Sequence, residues 1–266
     1  MICKTYRIPY KYGETIRIKP VSDAHLGNKH CNTKKLKQYL DDDDAYYMSI
    51  GDFMETTAPS NRFYRKSGDA TTRDEVVDEQ IDMAAEYLER HRGRIIGMGD
   101  GNHELRMVKL GITNPTKRLC KILGCNYLGY SWLLRLLFYE EKNGKHAGRG
   151  RSVIIRGHHG WGGGSRTQGA DLTKYSRDVA HWDADIFLYG HVHRLQADRI
   201  PRVGMVGDRL YDKPKLIGIC GTFLRTYSGS ADSTYSEEKG YPPVQIGGLV
   251  LNIKPTKQWV KYWMDT

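Results

Sequence analysis

Short apolar runs that stop at a glycine or a polar residue recur along the chain, at 15–21, 45–50, 94–98, 152–156, 186–189, 216–220 and 249–253. They are shorter than a globular helix and several are rich in β-branched residues, so they predict strands. Helical patterns lie between them. One runs over 33–40 and opens on a threonine; a second spans 73–92, with Val76, Val77, Ile81, Ala84, Ala85 and Leu88 near 3.6-residue spacing. A third begins at Asn114-Pro115, where proline needs no N–H, and runs to about 123; a fourth covers 170–181. Strand–helix alternation over the first 190 residues, then mostly strands, predicts an α/β fold with a β-rich final third. No internal repeat interrupts it. The run EEKNGKHAGRGR at 140–151 reads as a flexible polar loop, and 41–44 (DDDD) as a solvated loop before a strand. Residues 1–266 read as one domain.

Polar clusters stand at the ends of five consecutive runs. They are Ser22-Asp23-Ala24-His25, Gly51-Asp52-Phe53-Met54-Glu55, Gly101-Asn102-His103-Glu104, Gly157-His158-His159-Gly160 and Gly190-His191-Val192-His193. Any one alone reads as a turn or a helix cap. Five together, at the strand ends where α/β sheets place their chemistry, predict a metal site. Carboxylate, imidazole and amide oxygen without thiolate suit Mn²⁺, Fe or Zn²⁺ with open positions. A carboxylate can bridge two cations about 3.5–4 Å apart, a pair that clamps a phosphoryl group. Glycines beside the ligands allow sharp turns and close backbone approach.

Charge narrows the partners. Lys and Arg total 41 against 31 Asp and Glu, for a formal net charge of +10. That favours polyanions such as nucleic acid or phosphorylated substrates, as long-range attraction only. Five cysteines without CxxC spacing argue against a disulfide framework or zinc ribbon. The first twenty residues lack the apolar core of a signal peptide, and the most apolar stretch, 132–139, is broken by Arg135. The expectation is a cytoplasmic protein with no membrane partner; oligomeric state is not readable. The loop at 161–169 (WGGGSRTQG) lacks the Gly-Lys-Ser/Thr ending of a nucleotide P-loop. It reads either as a rim where Arg166 contacts a substrate phosphate and Trp161 offers a stacking face, or as a plain surface loop. Arg194, Arg199, Arg62, Arg65, Lys66, Arg149 and Arg151, interleaved with Phe63, Tyr64 and Tyr175, are candidates for a groove or for scattered surface charge.

The ordered set Asp-x-His, Gly-Asp-x-x-Glu, Gly-Asn-His-Glu, His and Gly-His-x-His, spread over residues 22–193, resembles the calcineurin-like metallophosphoesterase superfamily. The His-Gly-Trp-Gly-Gly-Gly loop after the fourth motif is similar to stand-alone bacterial and phage-type members. The resemblance implies a four-layer α/β/β/α sandwich of two mixed β-sheets with flanking helices, the metallo-dependent phosphatase fold. It implies two divalent cations, Mn first, with Fe, Zn, Mg, Ni or Co as alternatives. Asp23, His25 and His193 would bind one and Asp52 would bridge both. Asn102, His191 and one of His158 and His159 would hold the second. His103 would face the scissile phosphate beside Asn102 and protonate the leaving oxygen, with Glu55 orienting it or supporting a ligand.

The implied activity is phosphoester hydrolysis by a hydroxide held between the cations, with charge favouring phosphodiesters, including nucleic acid or nucleotides. A small-molecule phosphomonoesterase would share every residue named. A metal-free protein-binding scaffold is the rival from another class, disfavoured because every ligand position is filled. Thr56-Thr57 follow Glu55 where Ser/Thr protein phosphatases carry Asp-Arg-Gly, which argues against that activity.

Overall fold

Strand alternation sends each β side chain to one of two faces, and here both faces are covered. The computed structural model describes residues 1–11, 13–56, 76–142, 145–229, 233–256 and 259–266. One six-stranded sheet has the order β14 (Val260–Asp265), β13 (Val250–Pro255), β2 (Ile16–Ser22), β3 (Tyr46–Gly51), β4 (Ile95–Gly99), β5 (Asn126–Gly129). Its β2 to β5 are parallel, while β13 is antiparallel to both its neighbours. The second sheet has the order β1 (Ile2–Tyr10), β6 (Ser131–Lys142), β7 (Lys145–His158), β8 (Ile186–Tyr189), β12 (Lys215–Cys220), β9 (Leu195–Ile200). It mixes parallel pairs with the antiparallel β6–β7 and β12–β9 pairs. A separate ribbon pairs β10 (Val203–Val206) with β11 (Arg209–Asp212).

Side-chain period separates the layers. In β3, Met48 and Ile50 join the core between the sheets, while Tyr47 faces the other way. In β8, Ile186 and Leu188 point to that core and Phe187 and Tyr189 away from it; β12 divides Leu216 from Ile217 and Ile219 likewise. Tyr47, Ile95 and Met98 pack under α1 (Thr33–Leu40), α2 (Val76–Leu88) and α4 (Pro115–Leu123) through Leu36, Leu40, Ile81, Leu88, Leu119 and Leu123. Tyr175 of α5 (Ala170–Ser176) and Val179 of the following 3₁₀ turn cover the outer face of the second sheet. Helices, sheet, sheet and helix make the expected four layers.

Helix ends follow local rules. Asn32, one residue ahead of the expected threonine, caps α1 by accepting from Lys35 N at 3.1 Å. Asn114 caps α4 in the same way, and Gly124 ends it in the left-handed region. Of the helix expected over 73–92, α2 supplies 76–88, and 73–75 lie outside the described residues. The described parts of the polar run at 140–151, residues 140–142 and 145–151, are strand and not loop. They belong to the β6–β7 hairpin, with Glu140 opposite Ala147 and Lys142 opposite Lys145. The apolar 132–139 stretch is the inner part of β6, and β1 escaped the pattern because its exposed residues break up the apolar ones. In the acidic run, Asp42 is paired to Arg17 and Lys19, and Asp41 and Asp43 to Arg90, so no metal is needed to explain it. No helix among the described residues is long and apolar enough to cross a membrane.

The strand order fixes where function can sit. The carboxyl ends of β2, β3 and β4 are neighbours in one sheet, and those of β7 and β8 in the other. Close packing reaches that seam: Trp132 lies opposite Gly157, and a methyl at 157 would overlap its ring. Gly157→Ala is expected to lower unfolding free energy by about 1–3 kcal/mol, as overpacked cores do. An unchanged denaturation midpoint would show that the indole has room to move.

Candidate metal centre

Five strand ends deliver their polar residues to one point. Asp23 and His25 follow β2, Asp52 follows β3, Asn102 and His103 open α3 (Asn102–Lys109) after β4, His159 follows β7, and His191 and His193 follow β8. His191 and His193 flank Val192, and Asp23 and His25 flank Ala24, so both pairs present alternate residues. Asp23, His25, Asp52, His191 and His193 all have positive φ, between 49° and 72°. Left-handed backbone at non-glycine residues costs of order 1–3 kcal/mol each and persists where the surroundings over-determine it. Two glycines earn their places here. A methyl on Gly101 would overlap the Asp52 carboxylate, and one on Gly51 would come within 2.6 Å of His159 Nδ1.

The side chains form two lobes, with Asp52 in the second and near His25 of the first. In one, His25 Nε2 lies 3.2 Å from His193 Nε2, and His193 Nε2 lies 3.3 Å from Asp23 Oδ1. In the other, Asn102 Oδ1 lies 3.0 Å from His159 Nε2 and 2.8 Å from His191 Nδ1, while His159 Nε2 is 3.2 Å from Asp52 Oδ2. Ligand-capable atoms of Asp23, His25 and His193, and of Asp52, His159 and His191, fall within 4.8 Å of one another. His25, Asp52 and His103 form a third such group.

These residues fit divalent cations. Asp23 Oδ1 is buried with no hydrogen-bond partner among the described residues. Asp23 and Asp52 are 0% and 2% exposed, and among the described residues no lysine or arginine pairs with either. Burial would raise the Asp23 carboxyl, yet His193 beside it holds it down to about 2. Asp52 is likewise driven well below the usual carboxylate range, against burial, chiefly by His159. His159 answers by rising to about 9 despite its own burial, because Asp52 stabilises its charged form. A divalent cation held here would supply the positive charge that these buried carboxylates need.

Supporting contacts orient the cluster. Glu55 Oε2 lies 2.9 Å from His25 Nδ1, which turns Nε2 toward the centre. Glu55 thus supports His25 first; its Oε1 is 3.5 Å from His103. The Glu55 backbone carbonyl accepts from His103 Nδ1 at 2.7 Å. A carbonyl only accepts, so Nδ1 carries the proton and Nε2 is left for the cavity side. Burial lowers the basicity of His103, but Asp52 and Glu55 together raise it above its ordinary value.

Several expectations need correction. His158 is not in the cluster: its Nδ1 accepts from Gly160 N at 2.8 Å and its ring packs edge-on to Tyr130 and Trp161. Burial, with Arg156 nearby, pushes it down to about 4. His159 is the member of the pair that the fold brings in. Arg166 does not line the cavity over the cluster; it donates to Lys239 O at 3.1 Å. Tyr175 is buried and offers no face to a groove, while Trp161 packs edge-on against it, is 40% exposed and does not line the cavity. Arg199 lies in β9 away from the cavity. Arg62, Phe63, Tyr64, Arg65 and Lys66 lie outside the described residues, as does the Arg149 side chain.

One supporting residue reads in the sequence only as a helix-start acid. Glu104 is fully buried and accepts from three backbone N–H groups, of Asp52 (3.0 Å), Met54 (3.0 Å) and Gly101 (2.9 Å). It fastens the loop after β3 to the start of α3. Burial and the Asp52 carboxylate push it up to about 7. A glutamine must leave at least one of those donors unmatched. Glu104→Gln is expected to cost about 1–3 kcal/mol of stability and about 10–100-fold in Mn²⁺ affinity by calorimetric titration. Unchanged Mn²⁺ affinity would show that the loop holds its shape without this carboxylate.

No family model and no curated sequence matches the chain. Among solved structures it is similar to Vps29 complexed with Zn²⁺ from Entamoeba histolytica, at 13% identity and TM-score 0.35, over 94% of this chain and 98% of that one. It is similar also to a metallophosphoesterase from Sphaerobacter thermophilus, at 12% identity and TM-score 0.37, over 94% and 89%. A predicted phosphoesterase from Streptococcus pneumoniae gives 13% and 0.31, over 95% and 99%. The clustered residues keep the order in which their motifs resemble the calcineurin-like metallophosphoesterase superfamily, and they stand at the strand ends of two six-stranded mixed sheets.

Proposed function

We propose that the chain hydrolyses phosphate esters, diesters first, using a pair of divalent cations held by the two lobes. The observation that carries this reading is the shared position of Asp52 between Asp23, His25 and His193 on one side and Asn102, His159 and His191 on the other. When bound, such a pair neutralises phosphoryl oxygens and acidifies water near neutral pH.

The chain's own groups do the rest. Asn102 turns Oδ1 toward His159 and His191, which leaves its amide NH₂ for a phosphoryl oxygen. His103 N donates to Asp52 Oδ1 at 2.9 Å, which ties the position of the acid to that of the shared carboxylate. With Nδ1 fixed on Glu55 O, His103 presents Nε2 to the cavity, where its proton can pass to the departing ester oxygen. General-acid assistance of this kind is worth about 10²–10⁴-fold. A diester preference is supported by the net charge of +10 and by the basic cavity walls.

Two measurements test the reading. Mn²⁺-loaded protein is expected to turn over bis-p-nitrophenyl phosphate with higher kcat/KM than p-nitrophenyl phosphate, and chelation should abolish both. A monoester preference would move the assignment to a small-molecule phosphatase, and no turnover by metal-replete protein would favour a scaffold. His103→Ala is expected to keep its metal content while kcat falls by roughly 10²-fold or more. Parallel loss of metal would make His103 a ligand, completing the group with His25 and Asp52.

A further inference from the structure

A cavity of about 440 Å³ stands over the metal cluster. Its floor holds both lining carboxylates, Asp52 and Glu55. Above them the walls contribute arginines and neutral residues, with no acid among the described lining residues. One wall is the glycine loop at 162–165, and the opposite wall comes from 224–226 and 234–244. The walls approach closely: a methyl on Gly163 would lie 4.0 Å from the Tyr241 hydroxyl. The space between them is a slot, narrow at this point.

Three arginines line the slot, and one is already committed. Arg194 donates to Ser165 O at 2.9 Å and lies 3.8 Å from Asp171, so it braces the glycine loop. Arg106 and Arg225 have no hydrogen-bond or ion-pair partner among the described residues. Arg106 sits on α3, four residues after Asn102 and three after His103, so it shares their face of the helix. It is half-buried, and its charge works against protonation of His103. Arg225 stands on the far wall, its backbone N–H held by His30 O at 3.0 Å. The side chain of Tyr241, half-buried beside Tyr235 with ring centroids 6.5 Å apart, adds an aromatic face.

We infer that the slot takes single-stranded oligonucleotide, with Arg106 and Arg225 contacting the phosphates that flank the scissile diester and Tyr241 stacking a base. Each cation reads backbone charge, and an aromatic face accepts any base, which is how sequence-tolerant single-strand sites are built. This deepens the hydrolase reading and rests on it for the chemistry. Water adds to phosphorus, the P–O bond to one nucleoside breaks, and that oxygen leaves as an alcohol with the proton from His103, giving a monoester and a shorter strand. Arg106 and Arg225 act on binding and register.

The test separates binding from turnover. Phosphorothioate hexathymidylate resists cleavage and keeps the backbone charge, so its affinity for Mn²⁺-loaded protein can be read by fluorescence anisotropy over a salt series. The double variant Arg106→Gln/Arg225→Gln is expected to bind at least tenfold more weakly. Its slope of log affinity against log salt should fall by about 0.7 for each arginine lost, the single-strand value per phosphate contact. Wild-type protein should bind the single strand at least tenfold more tightly than the same sequence as a duplex. Unchanged affinity and slope in a variant whose circular dichroism and Mn²⁺ content match wild type would overturn the inference, as would equal affinity for duplex. Loss of bis-p-nitrophenyl phosphate turnover with single-strand binding intact would instead count against the hydrolase reading alone.

Discussion

Two carboxylates buried beside one another without a lysine or arginine are the constraint on which the rest of the site depends. Asp23 and Asp52 are almost wholly excluded from water, and in such surroundings an uncompensated charge costs far more than any single hydrogen bond returns. Among the described residues, imidazoles stand closest to them, His193 to one and His159 to the other. Imidazoles serve equally well as proton carriers and as neutral metal ligands, so the donor set suits a divalent cation. A salt bridge to arginine would have stabilised the fold more simply and closed the site to metal.

Holding such a cluster together takes a frame that resists it. Backbone strain at Asp23, His25, Asp52, His191 and His193 is met by hydrogen bonds from outside the motif. Asp23 N donates to Gly51 O and His25 N to Asp52 O, both at 3.0 Å, so the two irregular segments continue the β2–β3 pairing past the end of the sheet. His191 N donates to Asp23 Oδ2 at 2.9 Å, linking the second sheet to the first through the Asp23 carboxylate. Ser22 Oγ donates to the same oxygen. The strain is confined to the seam where parallel strands from two sheets end together, and the four-layer core on either side supplies the rigidity.

This explains what the amino-acid order could and could not reveal. Strand-end clusters are local, so Asp23, His25, Asp52, Asn102, His159, His191 and His193 stood out before any geometry was known. The His158–His159 choice was invisible, because it turns on which residue follows the last paired position of β7, and adjacent β side chains point to opposite sides. Glu104 reads as a helix-start acid until the loop after β3 is folded against it. The polar run at 140–151 reads as loop because its sequence carries no alternating apolar residues, although 140–142 and 145–151 pair as strand. The cavity wall at 224–244 carries no motif at all, and Arg106 and Arg225 acquire meaning only from the empty space they share.

That wall is not an appendage to the metal cluster. The chain leaving β12 passes directly behind Asp23, where Phe223 N donates to Asp23 O at 3.0 Å and Thr222 Oγ1 donates to the same carbonyl at 2.7 Å. Phe223 O in turn accepts from Asn32 N at 2.7 Å, at the cap of α1. Two residues later the same segment presents Arg225 to the slot. From Thr234 onward it is fixed again, with Thr234 capping the short helix Tyr235–Glu238 and Tyr227 donating to Tyr241 O at 2.9 Å. Arg166 fastens the opposite wall to it at Lys239. The floor of the cavity at Asp23 and the wall that carries Arg225 therefore belong to one connected length of chain.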